Sequence, residues 1–169
     1  ESEIVEAINV TGVDAIADAC RSIDAALIHM STDYVFDGES NEPYLENSPT
    51  NPIGRYGISK LQGEGVIQAS GCKFIIIRTS WLFSKYGKNF LKTMIDLAST
   101  NKTISVVSDE RGCPTFAPDL AKAIGSTFDL LQNNDYQSGI YHFSGETVCS
   151  WYEFANKIFQ KAKLHHLQV

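Results

Sequence analysis

"KFIIIRTS", residues 73–80, is the stretch that decides the fold of this chain of 169 residues. Ile75, Ile76 and Ile77 follow one another with no polar residue between them, so apolar side chains point to both faces of a strand. A strand buried on both faces belongs inside a parallel sheet with helices on either side. "AALIHMS" (25–31) reads as a second buried strand, and "KTISVVSD" (102–109) and "SGIYHFSG" (138–145) as two more.

Helical periodicity fills the gaps. In "ESEIVEAINVTGVDAIADACRSI" (1–23), Ile4, Ile8, Val13, Ile16, Ala17 and Cys20 fall near i, i+4 spacing. "YGISKLQGEGVIQ" (56–68) offers Ile58, Leu61, Val66 and Ile67 for one face, with Gly63 and Gly65 weakening the helix. "GKNFLKTMIDLAST" (87–100) is amphipathic. "DLAKAIGSTFDLLQ" (119–132) follows Pro118 with Asp119 as N-cap, after a turn-rich loop over 110–118. In "SWYEFANKIFQKAK" (150–163), Ser150 and Glu153 have the spacing of a capping box. Strands separated by helices imply an α/β fold, part of a doubly wound, Rossmann-like parallel sheet that binds ligands at the strand carboxyl ends.

Composition narrows the function classes. The chain is 43% apolar and 20% charged, with a net charge of −6 and no basic cluster, which argues against nucleic acid as a partner. No run approaches the roughly 18 apolar residues of a membrane span. Cys20, Cys72, Cys113 and Cys149 show no C-x-x-C spacing and read as reduced thiols of a cytoplasmic protein. His165 and His166 have no Cys, Asp or Glu at ligand spacing, so they read as a solvated tail and no metal site is expected.

The chemistry concentrates around "TDYVFDGESNEPYLENSPTNPIGR" (32–55), a loop longer than compact domains ordinarily tolerate without a function. Its Tyr34, Val35, Phe36, Tyr44 and Leu45 predict an ordered loop that packs. It begins with Ser31, Thr32 and Asp33 at the end of a strand, where hydroxyls can bond a ligand oxygen or simply the local backbone. It ends at "RYGISK" (55–60). On a helix, Tyr56 and Lys60 at i and i+4 share a face. A cation within about 4–6 Å of a phenol favours the phenolate, which suits proton transfer to an oxygen while a hydride moves to its carbon. The spacing alone is weak, because chance readily supplies such a pair on a solvated helix face.

Taken together, "STDYVFDG", the acidic loop, "YGISK" and "FIIIRTSWLF" resemble the extended short-chain dehydrogenase/reductase superfamily, and within it the dTDP-4-dehydrorhamnose reductase family. "INVTG", "GKNFLKTM", "DERGCPT" and "GIYHFSG" extend the resemblance through nearly all of the chain. The resemblance implies reduction of the C4 keto group of a nucleotide-activated 6-deoxysugar by NADPH or NADH. It implies Tyr56 as proton donor beside the nicotinamide ribose and Lys60 on the ribose hydroxyls. Thr32 would bond the reacting oxygen, Asp33 would face the substrate, and Trp81 would lie against the sugar, although a Trp after a buried strand is also ordinary core. A homodimer is a candidate assembly.

The chain departs from the family in one respect. It contains no G-x-G-x-x-G turn, the element that holds a dinucleotide pyrophosphate at a helix N-terminus, and it starts within a helical pattern. The expectation is an interior fragment of a longer protein, inactive alone, with the edge of "AALIHMS" exposed. Residues 1–80 are expected to form the half of the cofactor domain that carries Tyr56 and Lys60. Residues 81–169 are expected to hold the rest of the sheet and the substrate-binding region. Two other readings remain: an epimerase or dehydratase of the same superfamily, and a non-catalytic regulatory subunit resembling the β subunit of methionine adenosyltransferase.

Overall fold

The isoleucine run is the middle of a parallel sheet. The computed structural model describes residues 2–132 and 136–164; His165 and His166 lie outside them. The chain opens with α1 (Ser2–Glu6), a π-helical segment (Ala7–Thr11), α2 (Gly12–Ser22) and β1 (Ala26–Thr32). A 3₁₀ turn (Asp33–Val35), the long loop, α3 (Arg55–Ser70), β2 (Lys73–Thr79), β3 (Leu82–Phe83) and α4 (Phe90–Thr100) follow. The remainder is β4 (Arg111–Gly112), β5 (Thr115–Phe116), α5 (Ala117–Gln132), β6 (Gly139–His142), β7 (Cys149–Ser150) and α6 (Trp151–Leu164).

The main sheet has the order β1-β2-β6, with both pairings parallel. Ile75, Ile76 and Ile77 of β2 are buried, as the run predicts, Arg78 is buried with them, and β1 forms one edge of the sheet. Two short pairs, β3 with β5 and β4 with β7, complete the strands.

The chain divides into two units. One takes in residues through Thr79 together with Ile124–Phe143. Its core joins Val13 and Ala17 of α2, Ile67 of α3, Cys72 and Ile76 of β2, flanked by Leu27 and Ile140. The other takes in Ser80–Ala123 and the residues from Ser144. There Met94, Ala155 and Ile158 form a core, with Phe90, Phe154 and Phe159 packed around it. The capping box is present: Ser150 N–H donates to Glu153 Oε2 at 2.7 Å, and Glu153 N–H to Ser150 Oγ at 3.1 Å.

Three expectations need correction. Residues 102–109 form no strand, although Ile104 and Val106 do alternate inward onto the helical core. The apolar alternation is real, but the segment has no ladder partner; its Val107 carbonyl accepts instead from Tyr152 N–H. The next helix starts at Ala117, not Asp119, and Pro118 falls in its first turn, where a missing N–H is tolerated. Of the apolar positions in 1–23, Val13 and Ala17 are buried in the core and Cys20 packs against it, while Ile4, Ile8 and Ile16 are exposed.

The glycines of α3, read from sequence as weakness, serve close packing. A Cβ on Gly63 would lie 2.4 Å from the Asn9 carbonyl oxygen, so α3 rests directly on the π segment. Asn9 Nδ2 also donates to Ser59 Oγ at 3.0 Å. Gly65 faces open space. Gly63→Ala is therefore expected to cost about 2 kcal/mol in urea unfolding, by forcing two helices apart. Gly65→Ala should be neutral or stabilise by about 0.5–1 kcal/mol. Equal effects of the two substitutions would contradict this packing.

Candidate active site

Tyr56 stands on the first turn of α3, and Gly57 fixes where that turn sits. A Cβ on Gly57 would be 2.1 Å from the Tyr34 carbonyl oxygen and 3.1 Å from the Pro52 side chain. Only glycine lets the helix start touch the 3₁₀ turn after β1. The rings of Tyr34 and Tyr56 accordingly meet edge-on, with centroids 6.0 Å apart. Tyr56 is 53% exposed, and its hydroxyl has no hydrogen-bond partner among the described residues. One side of it walls a cleft of about 420 Å³ between the first helix and α3, lined also by Glu6, Asn9, Arg55 and Ser59.

Thr32 ends β1 and caps the 3₁₀ turn. Its buried hydroxyl accepts from Tyr34 N–H at 3.2 Å and donates to Asp33 Oδ1 at 3.1 Å. A hydroxyl has one proton, so Thr32 must release Asp33 before donating to any ligand oxygen. Burial pushes the Asp33 carboxyl up from its ordinary value, against the pull of the Thr32 hydrogen bond.

Ser31, expected among the hydroxyls open to a ligand, is instead committed inward. It donates to Glu64 Oε1 of α3 at 2.5 Å. Glu64 is fully buried and takes a two-pronged ion pair from Arg78 of β2, with Nε–Oε1 at 2.9 Å and Nη2–Oε2 at 2.6 Å. Arg78 Nη1 then donates to the Glu46 carbonyl at 3.3 Å, and the guanidinium lies 5.1 Å from the Phe36 ring centroid. Phe36 stacks on Tyr44 at 4.3 Å, and Glu46 Oε1 accepts from His142 N–H of β6 at 3.2 Å. The long loop is thus ordered, as its aromatic content predicts, and Arg78 anchors it to the sheet.

Lys60 lies on α3 four residues after Tyr56, partly buried. Its Nζ is 3.2 Å from His29 Nε2 of β1. Burial, and then the Lys60 charge, lower the His29 pKa to about 4, so the imidazole is neutral and Lys60 is the donor. Burial also lowers the Lys60 pKa from its ordinary value, with the Glu64 charge opposing.

Trp81 belongs to the second unit and adopts φ +46°, a left-handed conformation unusual for a bulky residue. Its indole stacks on Trp151, with centroids 3.5 Å apart and planes within 10°. A Cβ on Gly112 would lie 2.5 Å from its Cε2 and 2.8 Å from both Cζ2 and Nε1, which places Gly112 over the ring. Trp151 and Gly112 therefore occupy the two faces. The indole edge remains.

Tyr56, Lys60, Thr32 and Asp33 all fall in the first unit, and the contacts of Tyr56 with Tyr34 and of Lys60 with His29 tie α3 to both sides of the β1 terminus. Sequence reading missed His29, Glu64 and Arg78. A signal existed: His29 and Ser31 share one strand face at i, i+2, as Lys60 and Glu64 share one helix face at i, i+4. Among the described residues no group of three or more His, Cys, Asp or Glu is placed to hold a metal, and no helix is long and apolar enough to cross a membrane.

A parallel sheet flanked by helices defines a Rossmann-like α/β protein, and the tyrosine and lysine that open the helix after a strand-ending Ser-Thr-Asp agree with the resemblance to short-chain dehydrogenase/reductases. The chain belongs to the RmlD substrate binding domain family, whose pattern matches residues 1–169. It is 43% identical over 163 residues to the dTDP-4-dehydrorhamnose reductase of Sinorhizobium fredii, which covers 94% of this chain and 55% of that protein. It is 39% identical to the Escherichia coli K12 enzyme of the same name, over 96% of this chain and 54% of that protein. The dTDP-4-dehydrorhamnose reductase of Bacillus anthracis in complex with NADP superposes with a TM-score of 0.87 at 42% identity, covering 96% of this chain and 56% of that one. The chain spans about half the length of these relatives.

Two outcomes are expected from the buried polar groups. Arg78→Met, which strands the Glu64 charge, should cost about 3–5 kcal/mol in urea unfolding. Because Asp33 is raised in the native state, that state keeps a proton which the unfolded chain has released, so stability declines as pH rises from 3.8 through the raised value. Asp33→Asn should flatten that decline; an unchanged pH slope of the urea midpoint would contradict it.

Proposed function

We propose that this chain is the proton-transferring and substrate-binding part of an NAD(P)H-dependent reductase that converts dTDP-4-dehydro-L-rhamnose to dTDP-L-rhamnose. The observation that carries the proposal is Tyr56: half exposed, its hydroxyl without a partner among the described residues, held by Gly57 against the Thr32–Asp33 turn, with Lys60 one helical turn on. The names of the relatives at 39–43% identity support reduction over epimerisation or dehydration. Likeness to a dTDP-glucose 4,6-dehydratase, at 19% identity, is a likeness of fold alone.

The residues fit the nicotinamide end of a dinucleotide. A partly buried lysine and an unpartnered phenol suit ribose hydroxyls and a carbonyl oxygen, whereas the glycine-rich turn that takes a pyrophosphate is not in this sequence. The reduced nicotinamide supplies the hydride to C4 when bound. Tyr56 gives its phenolic proton to the C4 oxygen as negative charge develops there, completing the alcohol, and regains a proton from solvent. Lys60 stabilises the transient phenolate and bonds the ribose. Thr32, on leaving Asp33, donates to the same C4 oxygen and fixes its orientation. Asp33 faces the sugar hydroxyls. Trp81 joins the proposed substrate-binding residues on the family resemblance.

Tyr56→Phe in the full-length protein tests this reading. Loss of the phenolic proton is expected to lower kcat at least a hundredfold, with substrate binding little changed. Turnover of the 4-keto sugar above a few per cent of wild type would show that Tyr56 is not the proton donor.

A further inference from the structure

Lys60 has a function in the proposed reaction, but nothing in that reaction explains the residue it touches. His29 lies on β1, two residues before Ser31, on the strand face turned to α3. Ser31 from that face bonds Glu64, and His29 meets Lys60 Nζ at 3.2 Å. An ammonium offers only donors, so the His29 Nε2 lone pair is the acceptor and the imidazole proton resides on Nδ1. A half-buried ammonium otherwise faces desolvation opposed by the Glu64 charge, and Glu64 is already held by Arg78 through two bonds.

We propose that His29 is a positioning residue for Lys60, a neutral acceptor that keeps the ammonium charged and aimed within the α3–β1 interface. The inference rests on the reductase reading, since it gives Lys60 its importance. The charged and titratable groups around the contact are few. Lys60 and Glu64 face it from α3, Arg78 stands behind Glu64 on β2, and His142 of β6 and Glu46 of the loop lie beyond Arg78. Burial holds His29 neutral, so it remains an acceptor throughout the range in which such an enzyme works and contributes no acid limb of its own. Burial already lowers the Lys60 pKa with only the Glu64 charge opposing, so loss of the His29 acceptor removes a bond to the charged form and its proton is lost at lower pH. A neutral Lys60 no longer favours the Tyr56 phenolate, so activity would fail first on the alkaline side.

The test compares His29→Leu, which removes the acceptor, with His29→Gln, which keeps one, in the full-length protein. Lys60 is followed by NMR of ¹³C-labelled lysine side chains, and turnover is followed as a function of pH. In His29→Leu the Lys60 titration is expected about one unit or more below wild type, with the alkaline limb of kcat/KM displaced by the same amount. In His29→Gln both should stay near wild type. An unchanged Lys60 titration in His29→Leu overturns the inference, as does an equal loss of activity in both variants with no displacement of the limb. Should the wild-type protein fail to reduce the sugar, the reductase reading falls, while the Lys60 titration still decides the role of His29.

Discussion

The buried ion pair between Glu64 and Arg78 is the constraint on which the first unit depends. Two charges with 0% and 4% exposure are stable there only because each has several partners. Glu64 receives both prongs of the guanidinium and the Ser31 hydroxyl, and Arg78 has a further bond to the loop at Glu46. Removing α3 or β2 leaves a charge unpaired, and removing β1 or the loop leaves it with fewer hydrogen bonds, so the four elements are coupled through one pair. The orientation of α3 follows from it, and with that the direction in which Tyr56 and Lys60 project.

Glycine acts in the same arrangement by being small. Gly57 admits the Tyr34 carbonyl and Gly63 the Asn9 carbonyl, so α3 touches backbone at two points along its length. Helix propensity is given up for close approach, and tertiary packing outweighs the loss. The site thus stands on a helix clamped at its start, its middle and its buried face, which suits a proton donor whose hydroxyl must be held in one place.

Much of this was legible in the sequence where the signal is local. The isoleucines of 75–77 identified the central strand because burial on both faces leaves no polar position. Ser150 and Glu153 identified the start of α6 because a capping box is complete within four residues. Tyr56 and Lys60 could be placed on one face from spacing alone. The rest depends on residues far apart in the chain. Glu64 and Arg78 are 14 residues apart and His29 and Lys60 are 31, and periodicity tells which side of an element is apolar but not which polar groups meet across it. The segment 102–109 had the alternation of a strand but no strand to pair with, and Ile4 and Ile8 follow one another at helical spacing without sharing the face of Val13 and Ala17. Trp81 was recognisable as a flat aromatic group, whereas its enclosure by Trp151 and Gly112 was not.

The most direct measurement of the central claim, that the Tyr56–Lys60 pair serves a net reduction, is the absorbance of reduced nicotinamide while the full-length protein consumes a dTDP-4-keto-6-deoxysugar. One equivalent of NADPH or NADH should be oxidised for each sugar converted. Conversion of the sugar with no net oxidation of the nicotinamide would contradict it.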